Sequence, residues 1–501
     1  MKKIILLLFL AFVLFNVILA SWYVIHGDVN FSSDIARDFF LMQEIHQKKI
    51  ILIGPRSSVG GLFHGPLWLY LNYPAYLVGN GNPVVVGWYW ILLTILFLVS
   101  CYFVGKNLFN TTTAYLFVLM TSLYLVYHGK ALINPHGALF LLPTFFYFFI
   151  KYIKTLKLRY LVFHILLGGA MVQFQIAIGG PMMMLTIIAL TGIIVRNHKN
   201  KHFITFFLWL LPFSTFILFE TRHNFILIHS MVRHFSGGDR YHTFLFFLLE
   251  RIRVMATGVE FLRGDAIQNG SLYVSLIWVF LLFKQIKDNN HRTIYLAFVY
   301  FYVGFFLISL VNRYELLYFY VYPLFPLAFL IFSSFSVSKL KKFFIFIFFI
   351  MYAANLIGII KQVQLSDNII GKALDDWKFL YKMSATLYRQ SDNNFGYFVY
   401  SPDVLGYGPR YAMEYTGKFY KNKIFYNTQK KHVTYIVVEP PAKNQPYMLH
   451  EWWVKNKLNI SSKPVSVINF ENGYKIEKYL LTEQETKIPF ASDINIGIFY
   501  R

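Results

Sequence analysis

The sequence predicts a mainly α-helical, polytopic membrane protein with a small α/β or α+β extracytoplasmic domain at its C-terminal end. Three observations support this fold class. Only 14% of the 501 residues are charged, whereas soluble domains usually carry about a quarter. The apolar residues, 56% of the chain, form long blocks of roughly 18 or more, the length that a helix needs to cross a bilayer core of about 30 Å. After residue 361 the composition becomes polar with mixed charge.

Eleven transmembrane helices are predicted, with the N-terminus in the cytosol. The spans are 4–22, 84–105, 112–128, 137–153, 160–178, 181–196, 203–220, 271–286, 293–311, 315–333 and 342–360. With Lys2 and Lys3 inside, the short loops at 105–110, 151–159, 196–202, 284–292 and 338–342 are cytosolic, and each contains Lys or Arg. Short cytosolic loops of membrane proteins carry this excess of basic residues. The short loops on the opposite side carry fewer of them, so we expect this orientation.

The first span allows two interpretations. A basic start followed by an apolar stretch is typical of a signal peptide. The stretch is long, however, and the candidate cleavage site at 18–20 lacks a small residue at its first position. We therefore expect an uncleaved anchor, and either outcome leaves the next loop outside the cytosol.

Two domains are predicted, a transmembrane domain over 1–361 and an extracytoplasmic domain over 362–501. The first includes external loops at 23–82 and 221–270. An apolar stretch at 66–78 is short for a span and contains Pro74, which favours a helix at the membrane interface. In the tail, the patterns predict helices at 375–388 and 450–457 and strands at 395–400, 433–438 and 465–470.

The net charge of +23 and the single cysteine exclude several classes of protein. The basic residues lie in short tracts between apolar blocks, which indicates membrane topology and not a nucleic-acid-binding surface. Cys101 has no second cysteine to pair with, so the external parts fold without an intramolecular disulfide. No nucleotide-binding fingerprint or Gly-x-Ser-x-Gly motif is present in the sequence.

The first external loop carries the strongest candidate for chemistry. If Ser32 or Ser33 begins a helix, Asp34 lies in its first turn, and Asp34 and Asp38 share one face with Arg37 beside them. A carboxylate held there is suited to act as a general base or to bind a divalent metal. An ordinary solvated loop with a helix-capping aspartate is the alternative interpretation.

Further polar residues lie at the ends of spans that the topology places outside. The polar groups are His64 in the glycine-rich stretch 54–65, Asn134, Gln173, Gln175 and Glu220. Polar groups are costly in a membrane and often functional. Taken singly, each is also explained by hydrogen bonding between helices or by anchoring at the interface.

The second external loop is unusually basic for its side of the membrane. Its arginines are Arg222, Arg233, Arg240, Arg251, Arg253 and Arg263. Arginine binds phosphate through two parallel hydrogen bonds, so this loop is a candidate phosphate site. Binding of lipid headgroups is the simpler alternative.

Together these features resemble the GT-C superfamily of integral membrane glycosyltransferases. The resemblance is to the branch of protein O-mannosyltransferases, lipid A aminoarabinose transferases and RgtA/B/C/D-like enzymes, and it covers roughly residues 1–360. It rests on the Asp-x-x-Arg-Asp sequence at 34–38, the Ser-Val-Gly-Gly…His-Gly-Pro-Leu-Trp stretch at 58–68, Asn134-Pro135, and Phe-Glu-Thr-Arg-His at 219–223.

The resemblance implies transfer of a sugar from a polyprenyl-phosphate donor to a glycan, lipid or protein acceptor at the outer face of the cytoplasmic membrane. It implies Asp34 as general base or metal ligand with Asp38 as its partner, and Arg222 and His223 near the donor phosphate. We expect Arg37, His64, Asn134, Gln173, Gln175 and Glu220 to contribute to substrate binding. We expect no cofactor other than a divalent metal ion, for which Asp34 is the candidate ligand.

Two other functions remain open. A transporter or flippase for polyprenyl-linked sugars would also need many spans with polar groups in them, but it should show internal repeats and charges near mid-span. A non-catalytic scaffold that presents the tail would leave Asp34 and Asp38 without a chemical role.

Overall fold

The structure is a computed structural model, and it describes residues 2–237, 243–257, 270–288, 291–311, 314, 316–441 and 449–495. The chain divides into two compact units. We call the first the helical unit; it comprises Met1–Ser21, Lys48–Asn72 and Tyr89–Val363. We call the second the sheet unit; it comprises Trp22–Gln47, Tyr73–Trp88 and Gln364–Arg501.

The helices that precede the tail are mostly long and apolar. They are α1 (Lys2–Ala20), α2 (Trp22–Ile25), α3 (Ser33–Lys48), α4 (Leu67–Val78), α5 (Pro83–Leu108), α6 (Thr111–Leu125), α7 (Pro135–Thr155), α8 (Leu158–Phe174), α9 (Ile176–Arg196), α10 (Leu210–Arg222), α11 (Ile226–Ser236), α12 (Phe244–Thr257), α13 (Gly270–Asp288), α14 (Arg292–Ser309), α15 (Phe325–Ser334) and α16 (Lys341–Asp367). Stretches of 3₁₀ helix occur at Asn200–Trp209, Tyr318–Tyr320, Tyr322–Leu324 and Phe335–Val337.

Among the described residues, eight helices are long and apolar enough to cross a membrane. They are Lys3–Ala20, Pro83–Leu108, Pro135–Thr155, Ile176–Arg196, Asn200–Arg222, Arg292–Ser309, Tyr318–Val337 and Lys341–Asp367. The predicted spans 112–128 and 160–178 correspond to the shorter apolar helices α6 and α8, and 271–286 corresponds to α13. These helices support a multi-pass membrane protein, while the count of eleven and the orientation stay predictions.

Helix α1 is held in the helical unit by a polar contact. Asn16 is fully buried, and its side-chain amide donates to Ser122 Oγ at 2.8 Å and to Tyr352 Oη at 3.0 Å. These partners lie on α6 and α16. Hydrogen bonds of this kind join helices where no hydrophobic force drives them together.

The break between α8 and α9 is earlier than the sequence suggested. The predicted loop was Gly179–Gly180, but the chain turns at Gln175, whose carbonyl accepts the N–H groups of Ile178 and Gly179. Gly179 therefore lies inside α9. A Cβ on Gly179 would lie 2.3 Å from the backbone nitrogen of Val172 on α8. Gly179 therefore allows α8 and α9 to approach closely, and it does not form a turn.

The sheet unit contains a five-stranded mixed sheet. Its elements are α17 (Trp377–Gln390), β1 (Asn394–Tyr400), α18 (Tyr407–Gly417), β2 (Ile424–Asn427), β3 (Val433–Val438), α19 (His450–Asn456), β4 (Ser466–Asn469), β5 (Lys475–Leu480), α20 (Glu483–Lys487) and a 3₁₀ turn at Ser492–Asn495. The strand order is β2-β1-β3-β5-β4. Strand β1 pairs in parallel with β2 and β3, and β5 pairs antiparallel with β3 and β4.

Glycine at position 396 makes the parallel part of this sheet possible. The chain passes from β2 to β3, on opposite sides of β1, through only a few residues. A Cβ on Gly396 would lie 1.9 Å from the carbonyl oxygen of Gln429 in that connection. Any larger side chain in β1 at this point would block the crossing.

The sheet unit also contains the beginning of the first loop. The backbone nitrogen of Phe31 donates to Asp375 O at 2.5 Å, and that of Trp377 donates to Val29 O at 3.0 Å. The ring of Phe31 packs against Phe39 and Trp377. Helix α3 thus folds together with the tail, and the division into 1–361 and 362–501 stays a prediction from composition.

Candidate active site

Helix α3 places two carboxylates and one guanidinium on one face, as the sequence predicted. Arg37 Nη1 lies 2.7 Å from Asp34 Oδ1, and Arg37 Nη2 lies 3.0 Å from Asp38 Oδ1. The side chain of Asp34 is 61% exposed, whereas that of Asp38 is 7% exposed. Arg37 thereby screens the repulsion between the two carboxylates. Of the two carboxylates, Asp34 is therefore the one accessible to solvent.

Asp38 differs from Asp34 electrostatically as well. Burial raises the pKa of Asp38 from 3.8 to about 6, against the opposing effect of Arg37 and with a smaller contribution from Asp34. Arg37 donates to Asp38 through both Nε and Nη2, at 3.2 and 3.0 Å. Asp38 therefore orients Arg37 from inside the unit, and Arg37 in turn fixes the position of Asp34.

The other aspartate of the first loop, Asp28, has a structural role. It is fully buried and accepts backbone N–H bonds from Val29, Gly371 and Lys378 at 2.8 to 2.9 Å. Burial, with a contribution from Asp376, raises the pKa of Asp28 to about 7. Its oxygens are engaged in joining the first loop to the tail.

In the helical unit, the stretch 54–65 forms a tight hairpin. Arg56 and Phe63 form an antiparallel bridge, and Gly54 N donates to His64 O at 2.8 Å. A Cβ on Gly54 would lie 2.2 Å from Gly65 O. The glycines are thus required by close backbone approach. His64 is buried on this hairpin, and Arg56 is exposed.

Gln173 and Asn134 use their side chains to bond neighbouring elements. Gln173 donates to Thr215 Oγ1 at 3.1 Å and also to Pro212 O. Its own backbone carbonyl accepts Gly65 N at 2.9 Å. Asn134 donates to Phe174 O at 2.8 Å. These bonds join the hairpin, α7, α8 and α10, so both residues are structurally engaged.

Gln175 differs from Gln173 in the hydrogen bonding of its side chain. It is 1% exposed, and its side-chain oxygen has no hydrogen-bond partner among the described residues. A buried polar atom without a partner costs free energy. Such an atom is a candidate for binding a ligand or a water.

Glu220 caps a helix. Its two oxygens accept Leu227 N at 2.9 Å and Ile228 N at 3.1 Å, which lie in the first turn of α11. A carboxylate there satisfies donors that the helix leaves open and is favoured by the helix dipole. Glu220 therefore has a structural role, because it binds the first turn of α11 to the end of α10.

Arg222 ends α10 and His223 follows it, and both are exposed. His223 Nδ1 lies 2.8 Å from Phe219 O, and the His223 ring stacks on Phe219 at 4.0 Å. Arg222 forms no hydrogen bond or ion pair with any described residue. A charge at the end of an apolar helix with no partner in the described part of the chain is available to an anion.

The basic loop is less uniform than its sequence suggests. Arg251 is fully buried, pairs with Glu250 and donates to Tyr314 O at 2.5 Å. Arg233 is exposed on α11, and Arg240 and Arg263 lie outside the described residues. Arg251 is therefore unsuited to bind a phosphate, and Arg222 and Arg233 remain candidates.

The residues predicted for one site fall into two sets. Asp34, Arg37 and Asp38 belong to the sheet unit, and the remaining candidates belong to the helical unit. Hydrogen bonds join Arg37 to Asp34 and Asp38 in the first set, and the backbone nitrogen of His223 donates to Glu220 O in the second. In the described part of the chain, no group of three or more His, Cys, Asp or Glu side chains is arranged to hold a metal ion. Arg37 lies where a cation between Asp34 and Asp38 would lie.

Sequence reasoning missed one contact of α3. Ser33, its first residue, donates to Asp403 Oδ2 at 2.5 Å. Asp403 lies in the loop between β1 and α18, 370 positions later in the chain. No local pattern in the sequence points to a partner so distant.

No protein-family model matches this chain, and no curated protein sequence matches it. Its structure, however, is similar to solved structures of ArnT from Cupriavidus metallidurans. The form bound to undecaprenyl phosphate has a TM-score of 0.61 at 10% identity and covers 97% of this chain and 99% of that one. The apo form has a TM-score of 0.60 at 9% identity, with coverage of 97% and 100%. This likeness shows an ArnT-like fold, which supports the GT-C fold expected from the sequence and no particular member of it.

Proposed function

We propose that the protein is a glycosyltransferase that moves a sugar from a polyprenyl-phosphate-linked donor to an acceptor at the outer face of the cytoplasmic membrane. The observation that carries the proposal is the ArnT-like fold over 97% of the chain, because one of the similar structures holds undecaprenyl phosphate. A donor that arrives through the bilayer also agrees with the absence of a nucleotide-binding motif from the sequence.

In this proposal Asp34 is the general base. The nucleophilic oxygen or nitrogen of the acceptor attacks the anomeric carbon of the sugar. The bond between that carbon and the phosphate oxygen breaks, and polyprenyl phosphate leaves with the bonding electrons. Asp34 takes the proton that the acceptor loses. Its exposure and its fixed contact with Arg37 at 2.7 Å suit this role.

The leaving phosphate needs positive charge, because negative charge accumulates on it as the bond breaks. We assign this role to Arg222, with His223 next to it. Arg222 is exposed at the end of the apolar helix Asn200–Arg222 and has no ion-pair partner among the described residues. Gln175, with its unbonded oxygen, is a candidate for binding a sugar hydroxyl.

Asp34 as a metal ligand is the alternative chemistry for the same residue. The described residues supply only Asp34 as an exposed carboxylate on this face, so the remaining ligands of an ion would be water and the donor phosphate. A chelator separates the two roles, because it abolishes transfer only if a metal is required.

The test is transfer by the purified protein from a radiolabelled polyprenyl-phosphate sugar to candidate acceptors in liposomes. Wild type is compared with Asp34→Asn, and Glu44→Gln serves as a matched control that neutralises another carboxylate of α3. We expect transfer by wild type and the control and a large loss in Asp34→Asn. Movement of the donor across the bilayer without a new glycosidic bond would instead support the transporter alternative.

A further inference from the structure

A chain of hydrogen bonds connects the first residue of α3 to strand β3 of the sheet. Ser33 Oγ donates to Asp403 Oδ2 at 2.5 Å. Ser401 Oγ lies 2.7 Å from Asp403 Oδ1 and 2.7 Å from Glu439 Oε2. Glu439 follows β3 directly, and Ser401 follows β1. Both therefore lie at the carboxyl ends of neighbouring parallel strands.

This geometry favours a proton on one of the two carboxyl groups. A serine hydroxyl has one hydrogen, so Ser401 can donate to only one of its two carboxylate neighbours. The other contact, equally short, is a full hydrogen bond when that carboxyl group is itself protonated and donates to Ser401.

The environments of the two carboxyl groups indicate that Glu439, and not Asp403, holds the proton. Asp403 accepts four hydrogen bonds, from Ser33, Ser401 and the backbone nitrogens of Leu405 and Gly406, the last two at 2.9 Å. So many donors stabilise an ionised carboxylate. Although burial acts to raise the pKa of Asp403, these bonds hold it below its ordinary value.

Glu439 has the opposite environment. The only hydrogen-bond partner of its carboxyl group among the described residues is Ser401. Burial raises the pKa of Glu439 to about 7, with Asp403 and Asp375 adding to the effect and the bond from Ser401 opposing it. The phenols of Tyr400 and Tyr474 also interact electrostatically with the charge of Glu439. Two carboxyl groups with pKa values pushed apart are an acid and a base that share one hydroxyl.

We propose that Glu439 and Asp403 are positioning residues for helix α3, and that a proton on Glu439 completes the hydrogen-bond chain that holds its first turn. The bonds run from Glu439 to Ser401, from Ser401 to Asp403, and from Ser33 to Asp403. When Glu439 loses its proton, Ser401 faces two carboxylates with one hydrogen, and one of the two contacts becomes repulsive. Repulsion between the ionised Glu439 and Asp403 then loosens the tie between β3 and the loop that carries Asp403, so the acceptor of the Ser33 hydroxyl is less firmly placed, and with it Asp34.

The test is hydrogen–deuterium exchange of the full-length protein in nanodiscs at about pH 6 and about pH 8, on either side of the expected titration. The reporter is the peptide covering the first turns of α3, where Ala36 N bonds Ser32 O. Each variant is compared with wild type at the same pH, so the chemical pH dependence of exchange cancels.

We expect the first turn of wild-type α3 to lose protection at the higher pH relative to Glu439→Gln. The expected factor is about 2 to 10, which one hydrogen bond of ordinary net strength supplies. The side-chain amide introduced by Glu439→Gln can donate to Ser401 at both pH values, so this variant should keep its protection. Ser401→Ala should abolish the pH-dependent difference, and Asp403→Asn should lower protection at both pH values.

Glu477→Gln is the matched control, because Glu477 is a buried glutamate on β5 that also accepts a hydroxyl, that of Tyr479 at 2.7 Å. Its pKa is lowered despite burial, by bonds from His450 and Tyr479, so this variant should follow wild type. Equal protection of α3 in wild type and Glu439→Gln at both pH values would overturn the proposal. So would a loss of protection on chelation, because a cation between the carboxylates would then replace the proton.

The consequence for catalysis rests on the proposed function, but the exchange measurement does not. If exchange responds to Glu439 while no transfer is found with any donor, the proposed function fails and the positioning role stands. If transfer depends on Asp34 and exchange is unaffected by Glu439, the proposed function stands and the positioning role fails. With both in place, the rate of transfer by wild type should fall as Glu439 loses its proton, and Glu439→Gln should flatten that decline.

Discussion

In α3 of the sheet unit, Arg37 pairs with two carboxylates and one of these, Asp34, points to solvent. In the helical unit, the side chains of Gln173, Asn134 and Glu220 are bonded to the backbone of neighbouring elements. Inside a bilayer a broken helix leaves backbone groups that only protein can satisfy, so polar side chains there are needed for structure. The comparison indicates that a polar residue in a span is weak support for chemistry, whereas an exposed and oriented charge is stronger support.

The largest effect on the rate of transfer is expected from a substitution of Asp34, the exposed charge in this comparison. Asp34→Asn removes the base and should lower the rate of transfer by about 10²- to 10⁴-fold, the usual contribution of a general base. Because Asp34 is 61% exposed, thermal stability should change little. Transfer assays and thermal unfolding check both parts, and a variant with unchanged transfer would remove Asp34 from the mechanism.

Arg222 is the next test, since it is a charged residue of the helical unit without a described partner. Arg222→Gln should raise the KM for the polyprenyl-phosphate donor by about tenfold, roughly the worth of one charge-assisted hydrogen bond to an anion. Arg196→Gln, at the end of α9 on the opposite predicted side, should leave KM unchanged. Equal effects of the two substitutions would indicate a general effect of basic residues at the membrane surface.

A smaller effect separates two glutamines of the helical unit. Gln173→Leu breaks bonds to Thr215 and Pro212 and should lower the free energy of unfolding by about 1–3 kcal/mol. Gln175→Leu should cost less, because its side-chain oxygen has no described partner to lose. Chemical denaturation in detergent measures both. A larger cost at Gln175 would mean that a bound water or lipid satisfies it in the folded protein.

The smallest effect on transfer is expected from Asp38→Asn, because the asparagine oxygen can still accept a bond from Arg37. The main effect of Asp38→Asn is expected on the free energy of unfolding. Burial raises the pKa of Asp38 from 3.8 to about 6, so the folded state holds this proton more tightly than the unfolded state. The stability that this provides is present below about pH 4 and is lost as the pH rises through about 6. The stability of wild type relative to the variant should fall over that range.

Features of the structure could be predicted from the sequence where they depend on residues that lie close together in the chain. The face shared by Asp34, Arg37 and Asp38 depends only on helical periodicity, and the predicted arrangement is found. Strands β1, β3 and β4 were predicted from apolar runs. Strand β5 was missed because lysines and a glutamate interrupt it, and α18 was missed because it contains glycine and proline.

Long-range contacts were beyond prediction for a different reason. Ser33 and Asp403 meet across 370 positions, and neither residue has an unusual neighbourhood in the sequence. The backbone role of Glu220 was likewise hidden, because a glutamate at the end of a span looks the same whether it caps a helix or faces a substrate.

The bonds of Asp28 have a consequence for biosynthesis. Asp28 leaves the ribosome early, yet its partner Gly371 follows 343 positions later. The sheet unit cannot be completed until almost the whole chain has been made, and contacts so far apart in sequence form slowly. Until then the aromatic residues around Phe31 lack the tail that buries them. We therefore expect a chain that ends after α16 to leave its first loop open to aggregation and proteolysis.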